Sequence, residues 1–221
     1  MSHPLAASAV SLPPIVQPVK APALLLVIAG PAGTGKTTLC ERIVRESPGM
    51  ERVITATTRK PREGEVNGRD YYFLSDAEFD RLLAENAFLE WARVHDQSRR
   101  YGTLRRVIAE KLTHNTDLCI NIDVQGVTSI RRAALNDPLL AQRLVTVFVM
   151  PTDFDEIRAR MLERGKDTPA EIERRIETAR VEMLEWPNYD YCIRSGTKEA
   201  DFAVLQSIWV AEKNRVVRLR G

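Results

Sequence analysis

The segment Gly30–Thr37 reads GPAGTGKT and matches the phosphate-binding pattern G-x-x-x-x-G-K-[ST] at every fixed position. The apolar run Leu24–Ala29 before it predicts a buried strand, and Thr38–Arg45 after it predicts an amphipathic helix. A strand, a glycine-rich turn and a helix N-terminus in this order direct several backbone N–H groups to one point. The alternative is a chance match in an ordinary glycine turn, and the flanking strand and helix argue against it. We therefore expect an α/β scaffold that binds the phosphates of a nucleoside triphosphate.

Side chains and glycines of this segment have distinct expected roles. Glycines at positions 30, 33 and 35 let the backbone curl around phosphate without clashes from a Cβ atom. Lys36 is expected to reach the β- and γ-phosphates, and the Thr37 hydroxyl to ligate Mg²⁺. The predicted triphosphate-binding residues are Gly30, Pro31, Ala32, Gly33, Thr34, Gly35, Lys36, Thr37 and Thr38.

Length, charge and cysteine usage exclude several classes of protein. The 221 residues suit one α/β domain, and the 32 basic and 30 acidic residues leave a net charge of only +2. That balance argues against a general nucleic-acid binder. No spacing typical of disulfides or metal ligands is found among Cys40, Cys119, Cys192, His3, His95 and His114.

Residues 1–22 lack the features of a signal peptide, a transit peptide or a membrane span, so we expect a flexible tail on a cytoplasmic protein with no membrane partner.

Strands alternate with helix-length segments along the rest of the chain, which predicts a doubly wound parallel sheet. The predicted main-sheet strands are Leu24–Ala29, Arg52–Ala56, Leu118–Ile122, Leu144–Met150 and Tyr189–Ile193. Shorter strands and a helix capped by Asp76 fall within residues 55–103, which indicates an inserted lobe. The chain is thus divided into a tail (1–22) and a domain (23–217), with a core of residues 23–54 and 104–217 and a lobe of about 55–103. Because ligands of such sheets bind at the carboxyl ends of the strands, Asp123 is expected beside the phosphate loop.

A second dense signal is the basic, glycine-bearing stretch TTRKPREGEVNGRDY, residues 57–71. Arg59 and Arg62 flank Pro61, which stiffens the loop, and two guanidinium groups held in this way suit a phosphomonoester. Tyr71 and Tyr101 are candidates to donate further hydrogen bonds to the same phosphate. A solvated basic loop is the alternative.

These segments resemble the guanylate kinase family. The similarity runs from about Leu24 to Lys213 and rests on GPAGTGKT, TTRKPREGEVNGRDYYFL, FLEWA, RYGT, NIDVQG and LERG. It implies a P-loop NTPase-type fold with a GMP-binding lobe and a helical lid of about residues 160–175. The implied activity is transfer of the γ-phosphoryl group of ATP, held with Mg²⁺, to GMP or dGMP. Residues 30–38 would then bind ATP.

The resemblance also implies roles for the acceptor-binding residues. The phosphate of GMP would be held by Arg59, Arg62, Tyr71 and Tyr101, and guanine by Thr55, Glu90, Thr103 and Asp123; Gly102 would also contact GMP. Chemistry supports Glu90 independently, because guanine presents N1–H and N2–H₂ side by side and a carboxylate accepts both. Adenine would leave the buried carboxylate unpaired. A surface carboxylate at a strand end is the alternative for Glu90.

Arginines of the third segment are implied to close over the ATP phosphates. Arg160 and Arg164 lie four residues apart on one predicted helix, and Arg175 lies on the next. With Lys36 and Arg59, these three are the predicted catalytic residues, because phosphoryl transfer depends on alignment and charge stabilisation. Ion pairs with Glu156, Glu163 and Glu171 are the alternative, which we favour for Arg158 and Arg174.

Three features of the sequence depart from the pattern of the family. Asn121 stands where the family usually has an aspartate near Mg²⁺, so contact with the ion through water is expected and one charge is lost. The loop His95–Arg100 is longer than usual, and Arg99 and Arg100 are expected to face water, with contact to the nucleotide phosphate as the alternative. Ser195-Gly196 replaces the usual Asn-Asp pair near the adenine, which leaves the choice among donors open.

Two other functions are compatible with the sequence. One is a non-catalytic guanylate-kinase-like module that binds a phosphorylated peptide. The other is a P-loop kinase acting on a different phosphorylated acceptor. The sequence leaves open whether the protein is a monomer or a homodimer.

Overall fold

The computed structural model describes residues 21–94, 99–165 and 168–219, and for Val94 and Arg164 it describes the backbone alone. The predictions for the tail up to residue 20, for residues 95–98 and for the Arg164 side chain lie outside this part of the chain. The strands are β1 (Leu25–Ala29), β2 (Met50–Arg52), β3 (Ala56–Thr57), β4 (Tyr72–Phe73), β5 (Phe88–Val94), β6 (Arg99–Leu104), β7 (Asp117–Asn121), β8 (Leu144–Met150) and β9 (Tyr191–Arg194).

Helices connect most of these strands. They are α1 (Lys36–Glu46), α2 (Asp76–Ala84), α3 (Arg105–Thr113), α4 (Val124–Ala134), α5 (Pro138–Arg143), α6 (Phe154–Arg164), α7 (Pro169–Glu182), α8 (Lys198–Lys213) and α9 (Val216–Leu219), with a 3-10 helix at Met183–Asn188. Among the described residues, no helix combines the length and the apolar character needed to cross a bilayer.

A parallel sheet with strand order β2–β7–β1–β8–β9 forms the centre of the molecule. Alternate residues of β1 point to opposite faces. Leu26 and Ile28 pack with α1 and α8 on one face, and Leu25 and Val27 pack with α3, α4 and α5 on the other. Burial on both faces explains why the strand is an uninterrupted apolar run. The predicted α/β fold with a helix-covered parallel sheet is confirmed.

A second sheet lies within residues 56–104 and has strand order β4–β3–β6–β5. Its apolar side packs on α2 through Phe79, whose ring stacks on Phe88 with centroids 4.5 Å apart. The predicted strand Arg52–Ala56 is wrong as one element, because the chain leaves the parallel sheet after Arg52 and enters the second sheet at Ala56.

Helix α2 corrects a second expectation. Its N-cap is Ser75, not Asp76, because the Ser75 hydroxyl accepts from the backbone N–H of Glu78 while the Glu78 carboxylate accepts from the backbone N–H of Ser75. This reciprocal capping box satisfies two backbone donors that the first turn leaves open.

Arg100 was expected to face water, and this prediction is wrong. Arg100 is only 6% exposed, and its guanidinium lies 4.6 Å from the Phe79 ring centroid and forms ion pairs with Asp76 and Asp80. The carboxylates of Asp76 and Asp80 on α2 compensate the buried charge of Arg100. The face of the Phe79 ring stabilises the guanidinium further. Arg99 and Arg100 therefore belong to β6, not to a loop.

Candidate active site

The phosphate loop joins the end of β1 to the first turn of α1. Gly33 and Gly35 have left-handed φ angles of 86° and 87°, which an L side chain disfavours. At Gly30 a Cβ atom would lie 2.4 Å from the main-chain oxygen of Val149, so only glycine fits there. Gly35 caps α1 without any side-chain acceptor, so the first N–H groups of the helix remain available for an anion.

Lys36 and Thr37 open α1 at this point. Lys36 Nζ donates to the main-chain oxygen of Pro31 over 2.7 Å, so the lysine folds back along the loop. The Thr37 side chain is exposed, and Asn121, at the end of β7, donates to its hydroxyl over 3.3 Å. The structure thus brings together the two residues predicted to lie beside Mg²⁺.

This pair of residues fits a Mg²⁺ ion shared with a nucleotide. The described residues contain no group of three or more His, Cys, Asp or Glu side chains that would hold a metal by themselves. Mg²⁺ usually binds through one or two protein oxygens, substrate phosphates and several waters. A threonine hydroxyl and a neutral amide at the phosphate loop match that preference.

A cavity of about 320 Å³ opens beside Thr37 and extends under the second sheet. Its walls bring together most of the residues predicted to hold the acceptor, namely Thr55, Tyr71, Glu90, Tyr101, Gly102 and Asp123. Thr37 and Asn121 line the same cavity, and so does Arg52, which the sequence did not single out. The triphosphate loop and the predicted acceptor pocket therefore share one space.

Glu90 is the buried acid of this cavity. Its side chain is 8% exposed, and the fully buried Thr103 donates its hydroxyl to Glu90 Oε1 over 2.5 Å. Burial raises the pKa of Glu90 to about 7; the Thr103 hydrogen bond opposes the rise and the Asp123 carboxylate adds to it. Asp123 in turn caps α4 by accepting from Gly126 N–H over 2.7 Å. Thr103 thus orients the carboxylate that the cavity presents.

Arg59 lies beside the pocket, against the ring of the pocket residue Tyr71. Its guanidinium pairs with both carboxylate oxygens of Glu65, at 2.8 and 2.9 Å, and lies 5.3 Å from the Tyr71 ring centroid. The Glu65 carboxylate raises the pKa of Arg59 and also accepts from Arg62 N–H over 2.7 Å. Glu65 was missed by the sequence reasoning, although a carboxylate three residues after Arg62 in a glycine-bearing turn was an available signal.

Arg62 is placed differently from the other predicted phosphate ligands. It lines a separate cavity of about 440 Å³ together with Thr58, Arg59, Lys60 and Arg99. Since Arg59 borders this cavity and also lies against Tyr71, it connects the two spaces.

The arginines on α6 and α7 form ion pairs near the phosphate loop. Arg160 pairs with Glu156 over 2.5 Å, and its other terminal nitrogen lies 3.5 Å from the main-chain oxygen of Gly33. Arg175 lies 3.5 Å from Glu171, which also pairs with Arg174 over 3.0 Å. Arg160, one of the predicted lid arginines, therefore contacts the phosphate loop.

Ion pairing was favoured for Arg158 and Arg174, and both side chains form such pairs. Arg158 pairs with Asp155 and Glu173, which are not the acids named from the sequence. The second of these partners comes from α7, so the Arg158 pair joins the two helices.

The model of the guanylate kinase family matches residues 23–212. The chain belongs to the guanylate kinase family. It is 34% identical over 200 residues to the guanylate kinase of Caldanaerobacter subterraneus subsp. tengcongensis, covering 90% of this chain and 93% of the relative. It is 38% identical over 198 residues to that of Syntrophotalea carbinolica, covering 90% of each. The crystal structure of guanylate kinase from Anaplasma phagocytophilum has a TM-score of 0.66 at 25% identity, over 90% of this chain and 91% of that one. The predicted resemblance is confirmed.

The turn at Ser195-Gly196, expected from the sequence to lie near the adenine, is held by one buried acid. The Ser195 hydroxyl and the Gly196 N–H donate to the two carboxylate oxygens of Asp201, at 3.0 and 2.8 Å. Asp201 lies in the first turn of α8 and is 7% exposed. The turn that follows β9 is therefore held in one shape by the first turn of α8.

Glu182 is a further carboxylate near the candidate active site that sequence reasoning missed. It ends α7 and lines a cavity of about 860 Å³ that also contains Asp123 and Gly126. Burial raises the pKa of Glu182, while Lys36 opposes the rise and Asp123 adds to it. The end of α7 thus lies within electrostatic reach of the phosphate loop.

Proposed function

We propose that this chain transfers the γ-phosphoryl group of MgATP to GMP, and also to dGMP, giving ADP and GDP within purine nucleotide metabolism in the cytoplasm. The observation that carries the proposal is the buried Glu90, which faces a cavity shared with Thr37 of the phosphate loop. A buried acceptor-only group in that position needs a ligand with paired donors, and guanine is the common nucleobase that supplies them.

The acceptor is held by two groups of residues, one for the base and one for the phosphate. Glu90, oriented by Thr103, accepts from N1–H and N2–H₂ of guanine, with Thr55 and Asp123 beside the base. Arg59, Arg62, Tyr71 and Tyr101 hold the phosphate. No general base is required, because a phosphate oxygen of GMP is already anionic at neutral pH.

The donor is held by residues 30–38. Backbone N–H groups at the start of α1 bind the phosphates, and Lys36 moves from Pro31 to the β- and γ-phosphate oxygens. Mg²⁺ would be held by Thr37 and, through water, by Asn121, and it would neutralise charge on the bound triphosphate. Arg160, Arg164 and Arg175 add positive charge over the transferred group and exclude water from it.

We also propose that the chain consists of a core, a GMP-binding lobe, a lid and a tail. Residues 23–54 and 104–217 form the core, residues of about 55–103 the GMP-binding lobe, and residues of about 160–175 the lid, with a tail at 1–22. Closure of lobe and lid brings the two phosphates into line, which is the main task of a phosphoryl-transfer enzyme.

The direct test is a coupled assay with MgATP and each common nucleoside monophosphate. We expect GDP from GMP and dGDP from dGMP, with kcat/KM for AMP lower by about 10³-fold or more, because adenine leaves Glu90 unpaired. No GDP at saturating substrate would refute the proposal in favour of a binding module. Equal use of GMP and AMP would indicate a kinase with another acceptor.

The pKa of Glu90 predicts how GMP use depends on pH. Only the carboxylate accepts both guanine donors, so kcat/KM for GMP should fall as the pH drops below about 7, approaching tenfold per unit. The phosphate of GMP also titrates near pH 6, so the profile must be compared with that of Glu90→Gln. The variant should keep the phosphate-dependent part of the profile and lose the step near pH 7. Identical profiles for the two proteins would contradict the assignment.

A further inference from the structure

Arg52 is a cation at the junction of the two predicted substrate sites. It ends β2 and pairs in register with Cys119 of β7, so its side chain leaves the sheet on the same face as Asn121, two residues further along β7. It lines the 320 Å³ cavity together with Thr37, Asn121 and Tyr71. Arg52 therefore shares one cavity with a residue of the phosphate loop and with the tyrosine predicted to hold the acceptor phosphate.

The charge of Arg52 is available to a ligand. Arg52 is exposed, and Nη2 donates to the main-chain oxygen of Asp70 over 3.0 Å, which leaves other N–H groups of the guanidinium for further acceptors. The Asp70 carboxylate is engaged by Val66 N–H and by Arg69. The charge of Arg52 helps to lower the pKa of Asp70, but among the described residues the ion pair of Asp70 is with Arg69 and not with Arg52.

Arg59, by contrast, is already neutralised. Both terminal nitrogens of its guanidinium bind Glu65, so the pair brings no net charge to the pocket. A phosphomonoester carries about −1.5 to −2 charges at pH 7, and it must approach a second, more negative group during transfer. A cation in the cavity that forms no ion pair with a described carboxylate relieves this repulsion.

We propose that Arg52 binds the phosphate of the acceptor nucleotide from the parallel sheet, opposite the arginines and tyrosines of the lobe. The inference rests on the proposed function, because it takes a nucleoside monophosphate as the ligand of this cavity. The bond to the Asp70 main-chain oxygen holds the guanidinium beside Tyr71, so Arg52 is positioned before the ligand arrives.

Calorimetric titration of the full chain with GMP and with guanosine tests this inference, since guanosine has the base without the phosphate. Arg52→Gln should weaken GMP binding by about 10- to 100-fold, as expected for the loss of a charge-assisted hydrogen bond, and leave guanosine binding within twofold of the original protein. Arg52→Lys should recover part of the GMP affinity. Increasing salt should weaken GMP binding less in Arg52→Gln than in the original protein.

Arg69→Gln is the matched control. Arg69 is also an exposed arginine that contacts Asp70, but it does not line the acceptor cavity, so its loss should leave GMP binding unchanged. Unchanged GMP affinity in Arg52→Gln would overturn the inference, and so would equal losses for GMP and guanosine, which would mean that Arg52 only shapes the loop. Absence of GDP formation by the original protein would instead refute the proposed function.

Discussion

Replacing Lys36 by methionine is expected to lower kcat for GDP formation by about 10³-fold. The Lys36 ammonium group lies at the phosphate loop, where it donates to the main-chain oxygen of Pro31. In the proposed function it moves from there to the phosphates of ATP. Removal of one preorganised donor to developing charge raises the barrier by about 3–4 kcal/mol, and the loss of a full positive charge belongs at the upper end of that range. Methionine keeps the length and most of the packing of lysine, so the change isolates the charge.

Steady-state kinetics and GMP titration together test this prediction. The variant should bind GMP with unchanged affinity, because the acceptor pocket does not contain Lys36. Lys111→Met is the control. Lys111 is a lysine whose ammonium group also has a hydrogen-bond acceptor, but that acceptor is the exposed carboxylate of Glu51. A loss of less than tenfold in Lys36→Met, with the control unchanged, would exclude Lys36 from the transfer step.

The phosphate loop and the main sheet were predictable because their signals are local. A strand buried on both faces is a continuous apolar run, and the loop needs glycine where the backbone is left-handed or where a Cβ atom would meet Val149. Helix α5 was missed because it has only six residues, Pro138–Arg143, too few to display a period. The crossing between Arg52 and Ala56 was predicted as strand because a short run of β-branched residues looks the same whether it joins one sheet or passes between two.

The parts of the site that escaped prediction depend on contacts between distant segments. Arg52 joins the pocket only because β2 lies beside β7, and Glu182 only because α7 ends near the phosphate loop. Arg100 looked like a loop residue, yet Asp76, Asp80 and Phe79, at least twenty positions earlier in the sequence, bury it. Charged residues at such distances have no periodic signature, so their partners emerge only from the folded chain.

Replacing Glu90 by glutamine is expected to lower kcat/KM for GMP by about 10²- to 10³-fold while KM for ATP stays within twofold. The amide offers one acceptor oxygen and turns an NH₂ group towards a guanine donor, so one charge-assisted hydrogen bond is lost and the other is weakened. At about 1.5–3 kcal/mol for a hydrogen bond to a charged group, the combined loss is roughly 3–4 kcal/mol. The same NH₂ group can donate to N1 of adenine, which should raise kcat/KM for AMP. The ratio of kcat/KM for GMP to that for AMP should therefore fall by a larger factor than kcat/KM for GMP itself.

Stability measurements separate this effect from damage to the fold. The Thr103 hydroxyl can still donate to the glutamine oxygen, and the amide carries no charge to bury. Because burial raises the pKa of Glu90 to about 7, the stabilisation due to its neutral form is complete below the unfolded pKa near 4.5 and is lost as the pH rises through 7. At pH 8 the variant should therefore have a Tm equal to or above that of the original protein.

Glu85→Gln provides the comparison for an exposed carboxylate. Glu85 follows α2 and pairs with Arg81 on the surface, so its replacement should leave the preference for GMP over AMP unchanged. If Glu90→Gln also kept that preference, Glu90 would have no part in reading the base, and the acceptor would have to be recognised by its phosphate alone. A loss confined to GMP, with ATP binding and Tm retained, would assign the choice of guanine to one buried carboxylate and the threonine that orients it.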